Sequence, residues 1–222
     1  MEEITEKVLS LAVAVYLSSQ GYYVVLQPEI PGKNYSPDIA AIKPRLSELK
    51  KRADIGLIPP EIAYTLDDVE WVKEDTVMNE TKLGIDSLKD LMDNCSNWVE
   101  SRAESGVKYW RLKGYQIPSR ECLMVNCGFE NPTRAIRTLR DLKDCCNRAF
   151  LVFPFYVDEV FLDHCVDSGV GLQIFHPEVG FFRELIPAEF DEVTNSKSYR
   201  YLCEFILKEN LPYRIGEKEL RA

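Results

Sequence analysis

Residues 121–154, ECLMVNCGFENPTRAIRTLRDLKDCCNRAFLVFP, constrain the fold more than any other stretch of the chain. An apolar run, rich in residues that suit a pleated surface, stops at Asn131-Pro132, where proline breaks a ladder. Beyond the break, Ile136, Leu139, Leu142 and Cys146 fall on one side of a helix. Arg134, Arg137, Arg140 and Lys143 spread over the other side, each step of three drifting by about 60°. A second apolar run then closes on Pro154. Strand, helix and strand in this order mark an α/β domain.

The N-terminal segment supplies more of the same domain. Glu2 to Gln20 reads as a helix, with Ile4, Val8, Leu11, Ala12 and Val15 recurring at spacings of three and four. Gly21 ends it as a left-handed cap. Tyr22 to Leu26 and Asp38 to Ile42 read as strands, separated by the loop PEIPGKNYSP. After Pro154 come a short helix from about Tyr156 to Asp167 and a hairpin over 169–185, turning at His176-Pro177-Glu178. A last helix, about Ser196 to Glu209, turns Tyr201, Leu202, Phe205 and Ile206 inward.

Pro44 to Pro118 has a different texture. Short helices are expected at about 60–73, 75–83 and 86–94, the third with Leu88, Leu91 and Met92 inside. Trp98-Val99-Glu100 and Val107 to Leu112 follow as strands across the loop RAESG. The simplest division is therefore a discontinuous α/β domain, 1–43 with 119–222, interrupted by an insertion at 44–118.

Pro37-Asp38 at the mouth of a strand, with the following strand-helix-strand, resembles the core of the PD-(D/E)XK superfamily. The resemblance implies a restriction-endonuclease-like mixed sheet flanked by helices. The element order of the insertion, over LGIDSLKDLMDNCSNWVESRAESGVKYWRL, resembles a winged-helix (α+β) domain. In the family, an Asp and an E-x-K triplet on the neighbouring strand hold Mg²⁺ against a phosphodiester, and many members add a Glu from the first helix. Asp38 matches the Asp and is the expected metal ligand; Glu6, rather than Glu3, matches the helical Glu. The E-x-K positions fall on Asn126 and Gly128, which supply neither carboxylate nor amine. Glu121 or Glu130 substitutes only with a shifted register, and an odd shift turns the side chain to the wrong face. A separate Glu80-Thr81-Lys82 triplet serves only if that segment is a strand.

With a net charge of −9, the chain does not coat nucleic acid electrostatically, although a local basic patch is compatible with that total. Residues 45–118 carry eleven Lys and Arg against fourteen Asp and Glu. The candidate recognition helix sets Asp86, Asp90 and Asp93 against the single Lys89, an awkward surface for a phosphate-lined groove. Arg102, Lys108, Arg111 and Lys113, interleaved with Tyr109, Trp110 and Tyr115, give the hairpin a basic side. Arg134 and Arg137 are the phosphate contacts that the resemblance implies for the helix after the defective strand.

No apolar run approaches the roughly 18 residues of a membrane span, and the early acids Glu2, Glu3 and Glu6 are unlike a signal peptide, so a cytoplasmic location is expected. Seven cysteines without a C-x-x-C pair read as small buried apolar residues rather than zinc ligands. His164 and His176 lack any nucleophile context. Three functions remain. The first is a DNA-binding protein, or one that joins a DNA-bound partner, on a nuclease fold without efficient cleavage. The second is a Mg²⁺-dependent DNA endonuclease using Asp38, Glu6 and a migrated carboxylate. The third is a module that docks a protein through the acidic winged helix. A second copy of the chain is a further candidate partner.

Overall fold

A computed structural model of the chain describes residues 5–128, 132–154, 159–176 and 179–219, with side chains for all of these except 132, 159, 160 and 212–219. Glu2, Glu3, Ile4, Glu130, Asn131, Tyr156, Pro177 and Glu178, named above, lie outside the described residues. The first elements are α1 (Glu6–Ser19), β1 (Tyr23–Leu26), β2 (Ile39–Pro44), α2 (Leu46–Ile55), α3 (Pro60–Thr65) and β3 (Val72–Lys73). Next come α4 (Glu74–Thr81), α5 (Ile85–Asn94), β4 (Val99–Glu104), β5 (Val107–Leu112), β6 (Ser119–Cys127) and α6 (Pro132–Leu142). A 3₁₀ turn over Lys143–Cys145 leads to β7 (Arg148–Phe153), α7 (Glu159–Ser168), β8 (Gly171–His176), β9 (Phe181–Ile186) and α8 (Ser196–Glu219). Two compact units result: 1–43 with 120–196, and 44–119 with 197–222.

The first unit is α/β. Its sheet runs β1-β2-β6-β7-β8-β9, antiparallel at β1–β2 and β8–β9 and parallel at β6–β7 and β7–β8, so it is mixed. Thr5 opens α1 by accepting the Val8 N–H on its hydroxyl oxygen at 3.3 Å. Gly21 ends the helix at φ +83°, a conformation that favours glycine. The face turned to the sheet carries Leu9, Val13 and Leu17, packed on Ile39, Leu123, Val125, Phe150 and Phe175.

This is not the stripe that the spacing of Val8, Leu11 and Val15 picks out. Those three side chains are exposed. Between Val8 and Leu17 only Ser10 interrupts the apolar residues, so two stripes fit the helical period. The sheet takes one of them. On α6 only one side is apolar, and Ile136, Leu139 and Leu142 are buried as the period predicts.

The second unit joins α2 to α5, a three-stranded antiparallel sheet in the order β3-β5-β4, and α8. Ile58, Ile62, Leu66, Leu88, Met92, Trp98, Trp110 and Leu112 form its core. The sequence division assigned all of 119–222 to the first unit, but residues 197–222 separate from it. The reason is polar. On α8, Glu204 is completely buried and takes a bidentate ion pair from Arg52 of α2, through Nε at 3.1 and 3.2 Å and through Nη2. Nearby on the same helix, Arg200 Nε donates to the Ala63 carbonyl at 2.8 Å.

The helix expected over 60–73 stops at Thr65. Asp67 Oδ1 accepts from the Val69 and Glu70 N–H groups at 2.9 and 2.7 Å, a turn that competes with continued helix. Val72 and Lys73 then pair with Trp110 and Tyr109. The loop RAESG is mostly strand, and only Ser105 and Gly106 turn. Helix α8 extends to Glu219, well past Glu209.

No helix among the described residues is long and apolar enough to cross a membrane. All seven cysteines are buried thiols. Burial pushes the Cys127 and Cys145 thiols up to about 12 and those of Cys95 and Cys165 up to about 11.

Candidate functional site

Asp38 stands one residue before β2, beside the end of β6, and the two strands clasp there. The Asp38 N–H donates to Asn126 Oδ1 at 3.1 Å. The Cys127 N–H donates to Asp38 Oδ2 at 2.7 Å. Gln27 N–H donates to the Asp38 carbonyl at 2.9 Å, fixing the strand entrance from the β1 side. Asp38 is half-buried and Asn126 is 8% exposed. Glu6, exposed in the first turn of α1, reaches this end of the sheet through its charge. Burial is the main cause that raises the Asp38 carboxyl above its ordinary value; the Cys127 N–H opposes this and the negative charge of Glu6 adds to it.

These donors do not fit the Mg²⁺ of a phosphodiester-cleaving site. Magnesium asks for several hard oxygens in near-octahedral order, with carboxylates neutralising it. One Asp38 oxygen already serves a backbone N–H, and the Asn126 oxygen is neutral and engaged. At the third position, a Cβ built on Gly128 would lie 2.6 Å from Phe153 Cε1, so any side chain there displaces that ring. Among the described residues, no three of His, Cys, Asp and Glu converge as a metal-holding group. Glu121 sits near the opposite end of β6, roughly 17 Å along the strand from Asn126. It accepts from Tyr22 Oη at 2.6 Å and Arg148 Nε at 2.8 Å. The Glu80-Thr81-Lys82 triplet lies at a helix end, with Glu80 paired to Lys197 at 3.1 Å and Lys82 at φ +57°. Two residues apart on a helix point about 200° away from each other, so the strand logic of the motif does not operate there.

The basic residues divide into two kinds. On the β4–β5 hairpin, Arg111 is ion-paired and hydrogen-bonded to Glu100, Arg102 lies 3.5 Å from Glu104, and Lys108 lies 3.9 Å from Glu74. Arg102 and Arg111 also stack on the Trp71 ring at 4.7 and 4.5 Å, and Lys108 sits 4.0 Å over Trp110. Each of these cations has a carboxylate within 4 Å, which lowers the positive potential that a phosphate would meet, most at the hydrogen-bonded Arg111. Lys113 and Lys89 are exposed, the latter among the exposed Asp86, Asp90 and Asp93.

On α6, Arg134, Arg137 and Arg140 are exposed, and neither Arg137 nor Arg140 forms an ion pair among the described residues. These two line a groove of about 460 Å³ between α6 and α7, together with Thr133, His164 and the acids Asp141 and Asp167. Helix α6 follows directly from the strand that bears Asn126, so the arginine face and the Asp38 clasp belong to one unit. The pairing of Arg111 and Lys108 was not legible in the sequence, because strand register sets Glu100 opposite Arg111 and Glu74 comes from helix α4.

No family model, no curated protein and no solved structure matches this chain.

Proposed function

We propose that the protein binds nucleic acid through the arginine face of α6, on a restriction-endonuclease-like unit that does not cleave efficiently. The observation that carries this reading is a juxtaposition within one unit. Strand β6 ends in a closed Asp38–Asn126–Cys127 clasp with no room for a side chain at Gly128, and the helix that follows exposes arginines. The order of elements supports the fold part of the reading: α1, an antiparallel β1–β2 pair next to β6, then α6 and a parallel β7. Phosphate oxygens are the natural partners of exposed guanidinium groups, which bind them in a bidentate fashion. Contacts of this kind give affinity and register but little sequence preference.

The β4–β5 hairpin has a smaller share in this reading than its composition suggests, because its cations are paired with Glu74, Glu100 and Glu104. The second unit favours another partner. Its helix α5 presents Asp86, Asp90 and Asp93 to solvent, as a winged-helix-like module docking a basic protein surface would.

Fluorescence anisotropy with labelled duplex, single-stranded and branched DNA at about 50 and 200 mM salt tests the proposal, each duplex phosphate contact adding about −0.9 to the log–log slope. A slope near −3 is expected, reduced by about 2 in Arg137→Ala/Arg140→Ala. Asp38→Ala should leave the slope unchanged. Asn126→Glu/Gly128→Lys with added Mg²⁺ should not restore nicking of a plasmid, because Phe153 occupies the lysine's space. Absence of binding at the lower salt sinks the nucleic-acid reading and leaves the acidic α5 surface as the functional one.

A further inference from the structure

We infer that the groove between α6 and α7 seats the terminal phosphate of a nucleic-acid strand, a phosphomonoester, rather than a phosphate inside the chain. This deepens the nucleic-acid reading and rests on it. The groove, of about 460 Å³, belongs to the α/β unit. Its volume is that of a small-ligand site, with room for one nucleotide but not for a double helix. Arg137 and Arg140 line it from α6 and His164 from α7. Among the described residues, none of these three side chains has an ion pair, a hydrogen bond or a ring contact. By contrast, Lys33, Lys143 and Arg148 of the same unit are tied to Asp144, Asp191 and Glu121.

The acids of the groove set its limit. Asp141 and Asp167 line it too, and neither is ion-paired to the arginines. Each helix joins two neighbouring parallel strands, so α6 and α7 run in the same direction. Asp141 follows Arg137 by four residues and Asp167 follows His164 by three, roughly 6 and 5 Å further along. Both acids therefore stand towards the C-terminal end of the groove. Arginines and aspartates balance, so the groove is no track for a polyanion. A strand running through it would carry its next phosphates past Asp141 and Asp167, well inside a screening length of about 10 Å at 0.1 M salt. A strand that ends at the arginines avoids them. Its other phosphates leave past the helix N-termini, whose partial positive charge favours them. On α6 that is the side where β6 ends and the Asp38 clasp stands.

Chemistry selects the monoester. An internal phosphodiester offers one negative charge and two free oxygens. A terminal phosphate carries nearly two charges and three strong acceptor oxygens. Residues three apart are neighbours on a helix surface, so Arg137 and Arg140 act as a pair of bidentate donors, and the His164 ring adds a third N–H.

Fluorescence anisotropy at about 50 mM salt tests this with one DNA sequence, internally labelled and made three ways: 5′-phosphorylated, 3′-phosphorylated, and with hydroxyls at both ends. A phosphorylated form is expected to bind at least about tenfold more tightly than the hydroxyl form, the effect of one charge-assisted hydrogen bond. Arg137→Ala/Arg140→Ala should abolish that preference. Asp141→Asn/Asp167→Asn should narrow it, because a hydroxyl-ended strand can then run through the groove. All four positions are exposed, so neither variant disturbs the core. Equal affinities for the three forms overturn the inference and leave the nucleic-acid reading standing. Binding of none of them, single-stranded or annealed, overturns both. A nucleoside monophosphate that competes as tightly as the phosphorylated strand binds assigns the groove to free nucleotides, and the strand end is then wrong.

Discussion

Two carboxylates, the fully buried Glu204 of the second unit and the half-buried Asp38 of the first, are held in opposite ways. In the second unit Glu204 meets the guanidinium of Arg52, which also donates to Glu48 Oε2 at 2.6 Å and to the Gln116 carbonyl at 3.2 Å. The Arg52 guanidinium is capped by the rings of Trp98 and Tyr115, at 5.0 and 5.7 Å. Burial raises the Glu204 carboxyl and the Arg52 guanidinium pulls it back down. In the first unit Asp38 has a backbone N–H for a partner, with the like charge of Glu6 nearby. In the Arg52 cluster two carboxylates share one guanidinium; the Asp38 carboxylate has a backbone N–H and, among the described residues, no cation. A carboxylate tied to a buried cation reports on architecture, whereas one at the end of a sheet with no cation beside it is open to testing as a site.

The largest test of this contrast is Arg52→Met. It leaves Glu204 and Glu48 without their cation inside the second unit, and a loss of about 3–5 kcal/mol in urea unfolding is expected. Adding Glu204→Leu should recover part of that loss, because it removes the more deeply buried of the two stranded carboxylates and leaves only Glu48. If the double variant is as unstable as the single, packing rather than charge holds the cluster.

A smaller effect is expected at the clasp. Gly128→Ala drives a methyl group into the Phe153 ring, and about 1–3 kcal/mol of destabilisation should follow as the ring moves. A neutral result would mean that the space beside Gly128 can open to a side chain.

The smallest effect belongs to Asp38→Asn, which keeps an acceptor for the Cys127 N–H and should lie within about 1 kcal/mol of the wild type at neutral pH. Its signature is in the pH dependence. A carboxyl raised in the folded state binds its proton more tightly there than in the unfolded chain. Its stabilising contribution is full below the unfolded value and is lost as pH rises through the folded one. The variant should flatten the stability profile just above the ordinary carboxylate range. A profile that keeps the same slope would assign that titration to another group.

Much of the α/β unit was legible because its segments carry one pattern each. Residues 122–125 and 149–153 are apolar without interruption, as buried strands are, and α6 has a single apolar side. Helix α1 was legible as a helix but not in its orientation, since Val8, Leu11 and Val15 compete with Leu9, Val13 and Leu17 on equal terms. The allegiance of α8 was hidden for another reason. A glutamate at 204, in the middle of an apolar stripe, signals burial only once Arg52, far away in sequence, is known to meet it. At the clasp, Asp38, Asn126 and Gly128 could be singled out by position, while the backbone N–H that engages Asp38 and the ring that fills the space beside Gly128 are products of tertiary structure.

The seven buried thiols have a practical consequence. Shielded from solvent, they are protected from alkylation while the chain is folded and become reactive when the segment around them opens. Cys95 and Cys203 belong to the second unit; Cys122, Cys127, Cys145, Cys146 and Cys165 belong to the first. Alkylation kinetics read peptide by peptide therefore give each unit its own clock, so the chain carries the reporters needed to learn whether its halves come apart together or one at a time.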